Sequence, residues 1–381
     1  MEDNVRQYVA KTLYGFEHLL GKEIAQMGAK QIEERNRAVN FKADWKTLVD
    51  IHATSRLAIR VIQPFHKFQA RHERDFYNQA RVYPWENHFS VDQTFKIDVR
   101  VFSDTFTHSK YISLKLKDAI CDRFRDLTGD RPNINVQDPD IVFSLDIRDQ
   151  QVQLALDATG ESLHRRGFRD DSHVAPMNEI LAAGILAKTE WKPDLPFIDG
   201  MTGSGTMLIE ALYRATKQHA SWSRKRFPFM QWPDYPKGLW ESQRDYYKEQ
   251  VHNHYPEILG VEIDRETYRS AYDNLVRAGL SPFHYLKQHD FFSYKPKQKA
   301  GIVFLNPPYD KRLSLEDVQE FYGNIGDHLK QHFTGWDAWI LVGNPVAAKS
   351  IGLRSTKRLK LFNGSIESRL MHFPLYEGSN K

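Results

Sequence analysis

The 381-residue chain has one cysteine, Cys121, and no apolar run approaching the roughly 18 residues that a membrane span requires. A single thiol excludes an internal disulfide and a cysteine-based zinc cluster, and it makes a reducing compartment the natural expectation. The opening stretch MEDNVRQYVAKTLYGFEHLLGKE lacks the apolar centre of a signal peptide. These absences predict a cytoplasmic protein with no membrane segment and no metal. A strong charge bias is missing too. The formal net charge is +4, and basic and acidic residues nearly balance over residues 1–170. A broad basic surface there is therefore excluded, and a polyanion would have to meet a local patch. Residues 338–366 contain no Asp or Glu, whereas Lys349, Arg354, Lys357, Arg358 and Lys360 all fall within them. What is present, 41% apolar and 27% charged residues, is ordinary for a globular chain long enough for two or three domains.

Residues 1–65 read as short alternating elements. Gln7–Ala10 suits a strand, 15–27 has helical apolar spacing ended by Gly28, and Ala38–Phe41 alternates as a strand. Asp44 can cap a helix over 45–53, and 57–65 reads as a further strand, a candidate buried edge. A second unit, 66–162, carries a strand at 94–102 and an amphipathic helix at 109–127 with Ile112, Leu116, Ile120 and Phe124 on one stripe. Two strands, 141–147 and 151–157, follow it across a tight turn. Helices mixed with antiparallel strands, and no glycine loop, indicate an α+β region without its own catalytic constellation.

Residues 163–381 read as an α/β domain interrupted by an insertion near 214–256. A helix over 176–190, with Pro176 at its start, leads to a strand near 195–198 and then to Asp199-Gly-Met-Thr-Gly-Ser-Gly-Thr206. In the insertion, Trp222, Phe227, Phe229, Trp232 and Tyr235 stand among basic residues, and Pro228, Pro233 and Pro236 oppose a long regular helix. Those rings either stack bases or pack against the protein, with packing favoured for most of them. At the start of the domain, where the first region hands over to it, lies Leu163-His164-Arg165-Arg166-Gly167-Phe168-Arg169. His164, Arg165, Arg166 and Arg169 can hold phosphates while Phe168 offers a ring to a base; the alternative is a solvated linker.

The glycine turn between strand and helix is a nucleotide-type site whose details discriminate. A phosphate-binding NTPase loop would place Lys after Gly205, and Thr206 stands there instead. A dinucleotide fold would add an acid about 20 residues on. Here the next strand, 258–264, ends in Glu262 and Asp264, beyond the insertion, and a third leads to Asp290. A carboxylate for a ribose and another for an adenine amine, without a pyrophosphate clamp, favour S-adenosylmethionine over NAD. The second turn, Asn306-Pro307-Pro308-Tyr309, follows the strand-like run 301–305. The amino nitrogen of a nucleobase is a poor nucleophile because its lone pair is delocalised into the ring. Drawing its N–H groups toward the Asn306 side-chain carbonyl and the Pro307 backbone carbonyl localises that pair. Tyr309 offers a face to a base swung out of its stack.

Together, Asp199 to Thr206, Asn306 to Tyr309 and LHRRGFR resemble the THUMP-domain class I RNA methyltransferases, in particular the bacterial large-subunit rRNA guanine-N2 methyltransferases. The likeness covers nearly the whole chain, including Ala175-Pro-Met-Asn178-Glu179 and Lys360–Glu367. It implies an N-terminal ferredoxin-like subdomain (1–65), a THUMP RNA-binding domain (66–162) and a Rossmann-like methyltransferase domain (163–381). Carried over, Asp199, Gly203 and Gly205 line the methionine end of S-adenosylmethionine, and Asn178, Thr206, Asp264 and Asn306 also belong to the cofactor site. Glu262 then holds the ribose, Asp290 the adenine amine, and Asn306, Pro307 and Tyr309 the target base. The chain departs from the family pattern at Gly200 (commonly Pro), Thr202 (commonly Cys), Glu262 (commonly Asp) and Asp310 (commonly Gly). The expected reaction is methylation of a guanine N2 in RNA, with 23S rRNA as the partner. The alternatives are tRNA guanine-N2 or adenine-N6 methylation, and an RNA-binding or ribosome-assembly factor that keeps the fold without turnover.

Overall fold

The computed structural model describes residues 5–169, 176–252, 257–308, 315–344 and 346–376. The chain divides into two compact units. One comprises Met1–Thr12, Leu20–Leu163 and Arg224–Asp245, the other Leu13–Leu19, His164–Ser223 and Tyr246–Lys381.

The N-terminal elements run β1 (Arg6–Lys11), α1 (Glu17–Gln26), β2 (Lys30–Arg35), β3 (Ala38–Ala43), α2 (Trp45–Thr54) and β4 (Arg60–Gln69). Then come α3 (Glu73–Val82), β5 (Phe95–Phe102), α4 (Ser109–Thr128), β6 (Ile141–Arg148) and β7 (Gln151–Asp157). Their strands form one sheet in the order β2-β3-β1-β4-β7-β6-β5. Side chains alternate across a strand, so Tyr8 and Ala10 of β1 share a buried face with their partners Phe41 and Val39 on β3. Asp44 caps α2 by accepting from the Thr47 N–H at 2.8 Å. The stripe Ile112, Leu116, Ile120 and Phe124 of α4 is buried as its spacing predicts.

β4 departs from expectation. It pairs with β1 on one side and β7 on the other, so it is an interior strand rather than an edge, and it runs unbroken past the 65/66 position. A β-bulge between Pro64 and His66 lets it do so, because Pro64 has no N–H to give to a ladder.

The second sheet is built from β8 (Phe197–Asp199), β9 (Ile258–Glu262), β10 (Leu286–Gln288), β11 (Ile302–Leu305), β12 (Asp337–Val342), β13 (Lys357–Asn363) and β14 (Ile366–Pro374). Its helices are α5 (Glu179–Lys188), α6 (Thr206–Ala215), α7 (Leu239–Glu249), α8 (Arg265–Arg277), α9 (Pro282–Tyr285) and α10 (Leu315–His332), with the start of α7 lying in the first unit. The order is β10-β9-β8-β11-β12-β14-β13. The first five strands are parallel, and β14 enters antiparallel between β12 and β13. Every residue of β8 and β11 is buried, as strands covered on both faces require. This is a Rossmann-like α/β domain, and the α+β sheet accompanies it. α5 starts later than the sequence suggests. Pro176 lies outside the helix, and the Asn178 side chain caps it by accepting from the Ile180 and Leu181 N–H groups.

Within the insertion, Arg224–Asp245 belongs to the first unit. A short turn occupies Pro228–Gln231, and α7 begins only after the last of the three prolines. Phe227, Phe229, Trp232, Tyr235 and Trp240 are all buried. The Trp45 ring meets Trp232 at 5.9 Å and Tyr235 at 5.4 Å, and His52 meets Phe227 at 5.0 Å and Phe229 at 4.8 Å. Burial pushes His52 down to about 3, so it packs as a neutral ring. These aromatic residues are packing groups rather than base-stacking ones. Among the described residues, no helix is long and apolar enough to cross a membrane.

Candidate active site

Sheet register brings the two motif turns together. β8 and β11 are parallel neighbours, with Asp199 opposite Phe304, and the Gly200 N–H donates to the Phe304 carbonyl at 2.9 Å. Asn306 is the first residue beyond β11, so it emerges beside the glycine turn that leaves β8. β9 flanks β8 on the other side, and the Thr202 N–H donates to the Val261 carbonyl at 3.1 Å. Glu262 closes β9, while Asp290 lies two residues beyond β10. Four neighbouring strands, β10-β9-β8-β11, therefore carry Asp290, Glu262, Asp199 and Asn306 at their carboxyl ends. Between β8 and β11 the strand order reverses, which is where open α/β sheets leave a ligand crevice.

The glycine turn is held from within and from β9. The Thr202 hydroxyl donates to the Asp199 carbonyl at 2.9 Å, a bond that a thiol at this position would make only weakly. The Gly203 N–H donates to Glu262 Oε2 at 2.8 Å, and the Asp264 N–H to Glu262 Oε1 at 3.0 Å. One carboxylate thus braces both turns. Gly205, at φ +86°, opens α6 from the left-handed region that favours glycine. At Gly200, where the family commonly has proline, a Cβ would lie 2.6 Å from both Leu305 and Phe291. The Leu305 and Phe291 side chains fill the space beside Gly200, so a larger residue here requires them to shift.

Asp199 is the electrostatic centre of the site. It is buried, and neither carboxylate oxygen has a hydrogen-bond partner among the described residues. Burial first, and then the charge of Glu262, push its carboxyl up to about 8; the nearby Leu208 amide offsets little of this. An unpaired buried carboxylate is costly unless a cation arrives to compensate it, and S-adenosylmethionine carries cationic ammonium and sulfonium groups. The residues present fit that cofactor. Asp290 accepts from the Phe292 N–H at 3.0 Å, and Asp264 accepts from the Thr267 N–H at 2.8 Å as the cap of α8. Ile263, 63% exposed between Glu262 and Asp264, is an apolar surface that motif reading passed over. The signal available was a large aliphatic residue at the open end of a strand. Among the described residues no group of His, Cys, Asp or Glu is arranged to hold a metal ion. Tyr309 and Asp310 lie outside the described residues.

The basic cluster expected to meet RNA is mostly turned inward. Arg166 Nε lies 3.1 Å from Glu210 Oε1, with both side chains fully buried. Phe168 is buried, its ring 6.3 Å from that of Tyr213. Arg169 Nη1 is 3.3 Å from Glu179 Oε1, and its Nη2 donates to the Thr206 hydroxyl at 2.6 Å and to the Met177 carbonyl. Arg166, Phe168 and Arg169 therefore do not present charge or a ring to RNA. They tie the segment to α5 and α6, behind the glycine turn. Burial drives the Glu179 carboxyl up to about 7 despite Arg169, and desolvation lowers Arg169. Arg165 is exposed and His164 half-buried. Because a buried charge left alone is costly, Arg166→Ala should destabilise the protein by about 3–5 kcal/mol. Urea unfolding reads this directly, and a wild-type midpoint would refute the structural role.

Comparison with known proteins agrees with this fold. Residues 166–372 match the model described as RMKL-like, methyltransferase domain; residues 70–157 match the THUMP domain and residues 7–62 the RlmL ferredoxin-like domain. The chain belongs to the RMKL-like methyltransferase family. It is 34% identical over 373 residues to the Synechocystis protein named "Putative RNA methyltransferase slr0064", covering 97% of each chain. It is 33% identical over 384 residues to the "Ribosomal RNA large subunit methyltransferase K/L" of Syntrophotalea carbinolica, covering 97% of this chain and 54% of that one. The chain thus spans the first relative almost entirely but only about half the length of the second. Among solved structures, "SMU.472, a putative methyltransferase complexed with SAH" superposes with a TM-score of 0.89 at 26% identity, covering 99% of this chain and all of that one. As a family member, the chain has the fold of an S-adenosylmethionine-dependent class I methyltransferase, preceded by a THUMP and ferredoxin-like region.

Proposed function

We propose that this protein methylates the exocyclic N2 of a guanine in RNA, with 23S rRNA as substrate, in the cytoplasm. The observation that carries the reading is the emergence of Asn306 and Pro307 from β11 directly beside the glycine turn of β8. S-adenosylmethionine supplies an electrophilic methyl carbon. Asp199 meets the cationic end of that cofactor, Gly203 and Gly205 let the backbone approach it, and Glu262 accepts from its ribose. Asp290 accepts from its adenine amine, and Ile263 offers the adenine an apolar face. Asn178 and Asp264 act behind them as helix caps. The Asn306 side-chain carbonyl and the Pro307 backbone carbonyl accept the two N–H bonds of the target amine and aim its lone pair at the methyl carbon. Tyr309 stacks the extruded base. The names of the relatives support RNA, and ribosomal RNA in particular, as the substrate class.

The same two carbonyls would grip any planar exocyclic amine, so guanine-N2 in tRNA and adenine-N6 are the competing targets. Labelled methyl donor, total RNA and nucleoside analysis separate them. N2-methylguanosine mapped to 23S rRNA is the expected product. Label in N6-methyladenosine or in tRNA would transfer the assignment to the competing target. No incorporation into RNA from a strain lacking the protein would leave a non-catalytic RNA-binding factor.

A further inference from the structure

The inward turn of residues 166–169 leaves open where the substrate strand is held, and the first unit offers a built surface elsewhere. On β6 the odd-numbered residues face the helices: Phe143 meets Phe89 at 5.5 Å, and Phe89 meets Phe124 of α4 at 4.9 Å. Alternation turns Ser144, Asp146 and Arg148 to the opposite face. Register places Asp98, Arg100 and Phe102 of β5, and Ala155 and Gln153 of β7, beside them. A cleft of about 270 Å³ opens on that face, lined among others by Lys11, Arg100, Arg148, Ser144 and Gln153. Among the described residues, Asp146 is the only acid lining it.

Three cations around one carboxylate are under-compensated. Arg148 Nε lies 3.2 Å from Asp146 Oδ1 and Arg100 Nε 3.7 Å from Oδ2, so the two guanidinium groups share a single acid. Lys11 reaches the same cleft from β1, and desolvation together with the charges of Arg100 and Arg148 lowers its pKa. An anion seated there would relieve all three. Beside the cleft stands Phe102, 64% exposed, with the Arg148 guanidinium 6.0 Å from its ring centroid. An exposed ring next to a cationic cleft on an open sheet face matches the repeat of a single strand, in which a phosphate alternates with a base.

We propose that this face binds a single-stranded segment of the substrate RNA, with a phosphate among Lys11, Arg100 and Arg148 and the adjacent base stacked on Phe102. The inference rests on the RNA-methylation reading and assigns that reading a substrate-holding surface. Phosphate binding supplies affinity without sequence preference, so the site anchors the strand and leaves target selection to the Asn306 turn.

The test uses the full chain and a fluorescein-labelled oligouridylate of about ten nucleotides, a length within the usual single-strand site size. The double variant Lys11→Gln, Arg100→Gln should bind more weakly. Its slope of log affinity against log salt should be shallower by about 0.7 for each phosphate that is no longer neutralised. Phe102→Ala should weaken binding roughly tenfold with the salt slope unchanged, as expected for removal of one base stack. Unfolding midpoints and affinity for S-adenosylmethionine should stay at wild-type values in both variants. Wild-type affinity and slope in these variants would overturn the proposal. So would a wild type that methylates RNA yet does not hold the oligonucleotide. A wild type that neither methylates nor binds RNA overturns the functional reading as well.

Discussion

Replacement of Asn306 by alanine should lower the methyl-transfer rate by ~10²–10³-fold while leaving S-adenosylmethionine affinity within about twofold, the effect typical of removing one preorganised polar group at a reacting centre. Asn306 follows β11, on the side of the glycine turn away from Glu262 and Asp290. Its carbonyl is assigned to the target amine, not to the cofactor. Truncation should therefore reach the chemical step, because the interaction strengthens only as the amine nitrogen gains positive charge. Single-turnover rates at saturating RNA and cofactor, with calorimetric cofactor titration, separate the two terms. A variant that loses cofactor binding but keeps full turnover at saturation would place Asn306 on the wrong partner. On the same assignment Pro307 contributes through its backbone carbonyl, and as a proline it biases Asn306 away from the α conformation.

Asp199→Asn should weaken S-adenosylmethionine binding by about 10–100-fold, the drop expected for a hydrogen bond to a charged group, and should abolish the pH dependence of that binding. In the cofactor-free protein, burial and the neighbouring Glu262 hold the Asp199 carboxyl up to about 8, far above the ordinary 3.8. A cation bound against it favours the ionised form, so binding near neutral pH expels a proton. Affinity should then rise with pH and level off above about 8. Calorimetry in buffers of different ionisation enthalpy counts that proton directly. Stability runs the opposite way. The folded state binds this proton more tightly than the unfolded state, so the cofactor-free protein loses stability as pH rises from the ordinary carboxyl range through about 8. Glu179, pushed up to about 7, adds to the same slope over its own narrower window. Asp199→Asn removes the larger share, and its melting temperature should fall less between pH 6 and 9 than that of the wild type. A variant with wild-type affinity and wild-type pH dependence would show that Asp199 does not meet the cationic end of the cofactor.

The clash between the two effects at Asp199 explains why a buried, unpartnered carboxylate belongs in such a site. On the proposed reading, the cofactor's cation offsets the cost of burying Asp199, so affinity is gained at the expense of cofactor-free stability.

The two motif turns were legible because their determinants are local. A glycine turn between a strand and a helix, and an Asn-Pro-Pro turn after another strand, state their backbone geometry in a few adjacent residues. The amphipathic stripe of α4 and the Asp44 cap were readable for the same reason. The fate of long polar and aromatic side chains was not, because their partners lie far along the chain. Arg166 looks like a phosphate ligand until Glu210, 44 residues on, meets it inside the second unit. The insertion's rings were expected mostly to pack, but only the fold shows that Trp45 and His52, contributed by α2, are what they pack against. β4 read as a candidate edge because a single strand carries no record of how many neighbours it will have. The cationic cleft draws Lys11, Arg100, Arg148 and Gln153 from four strands, and no window of sequence contains it. Sequence alone determined the chemistry that short segments can express, namely an adenosyl cofactor. Only tertiary structure decided which charges are neutralised by distant partners and which remain for a ligand, since the energy of a charge depends on what surrounds it rather than on what precedes it.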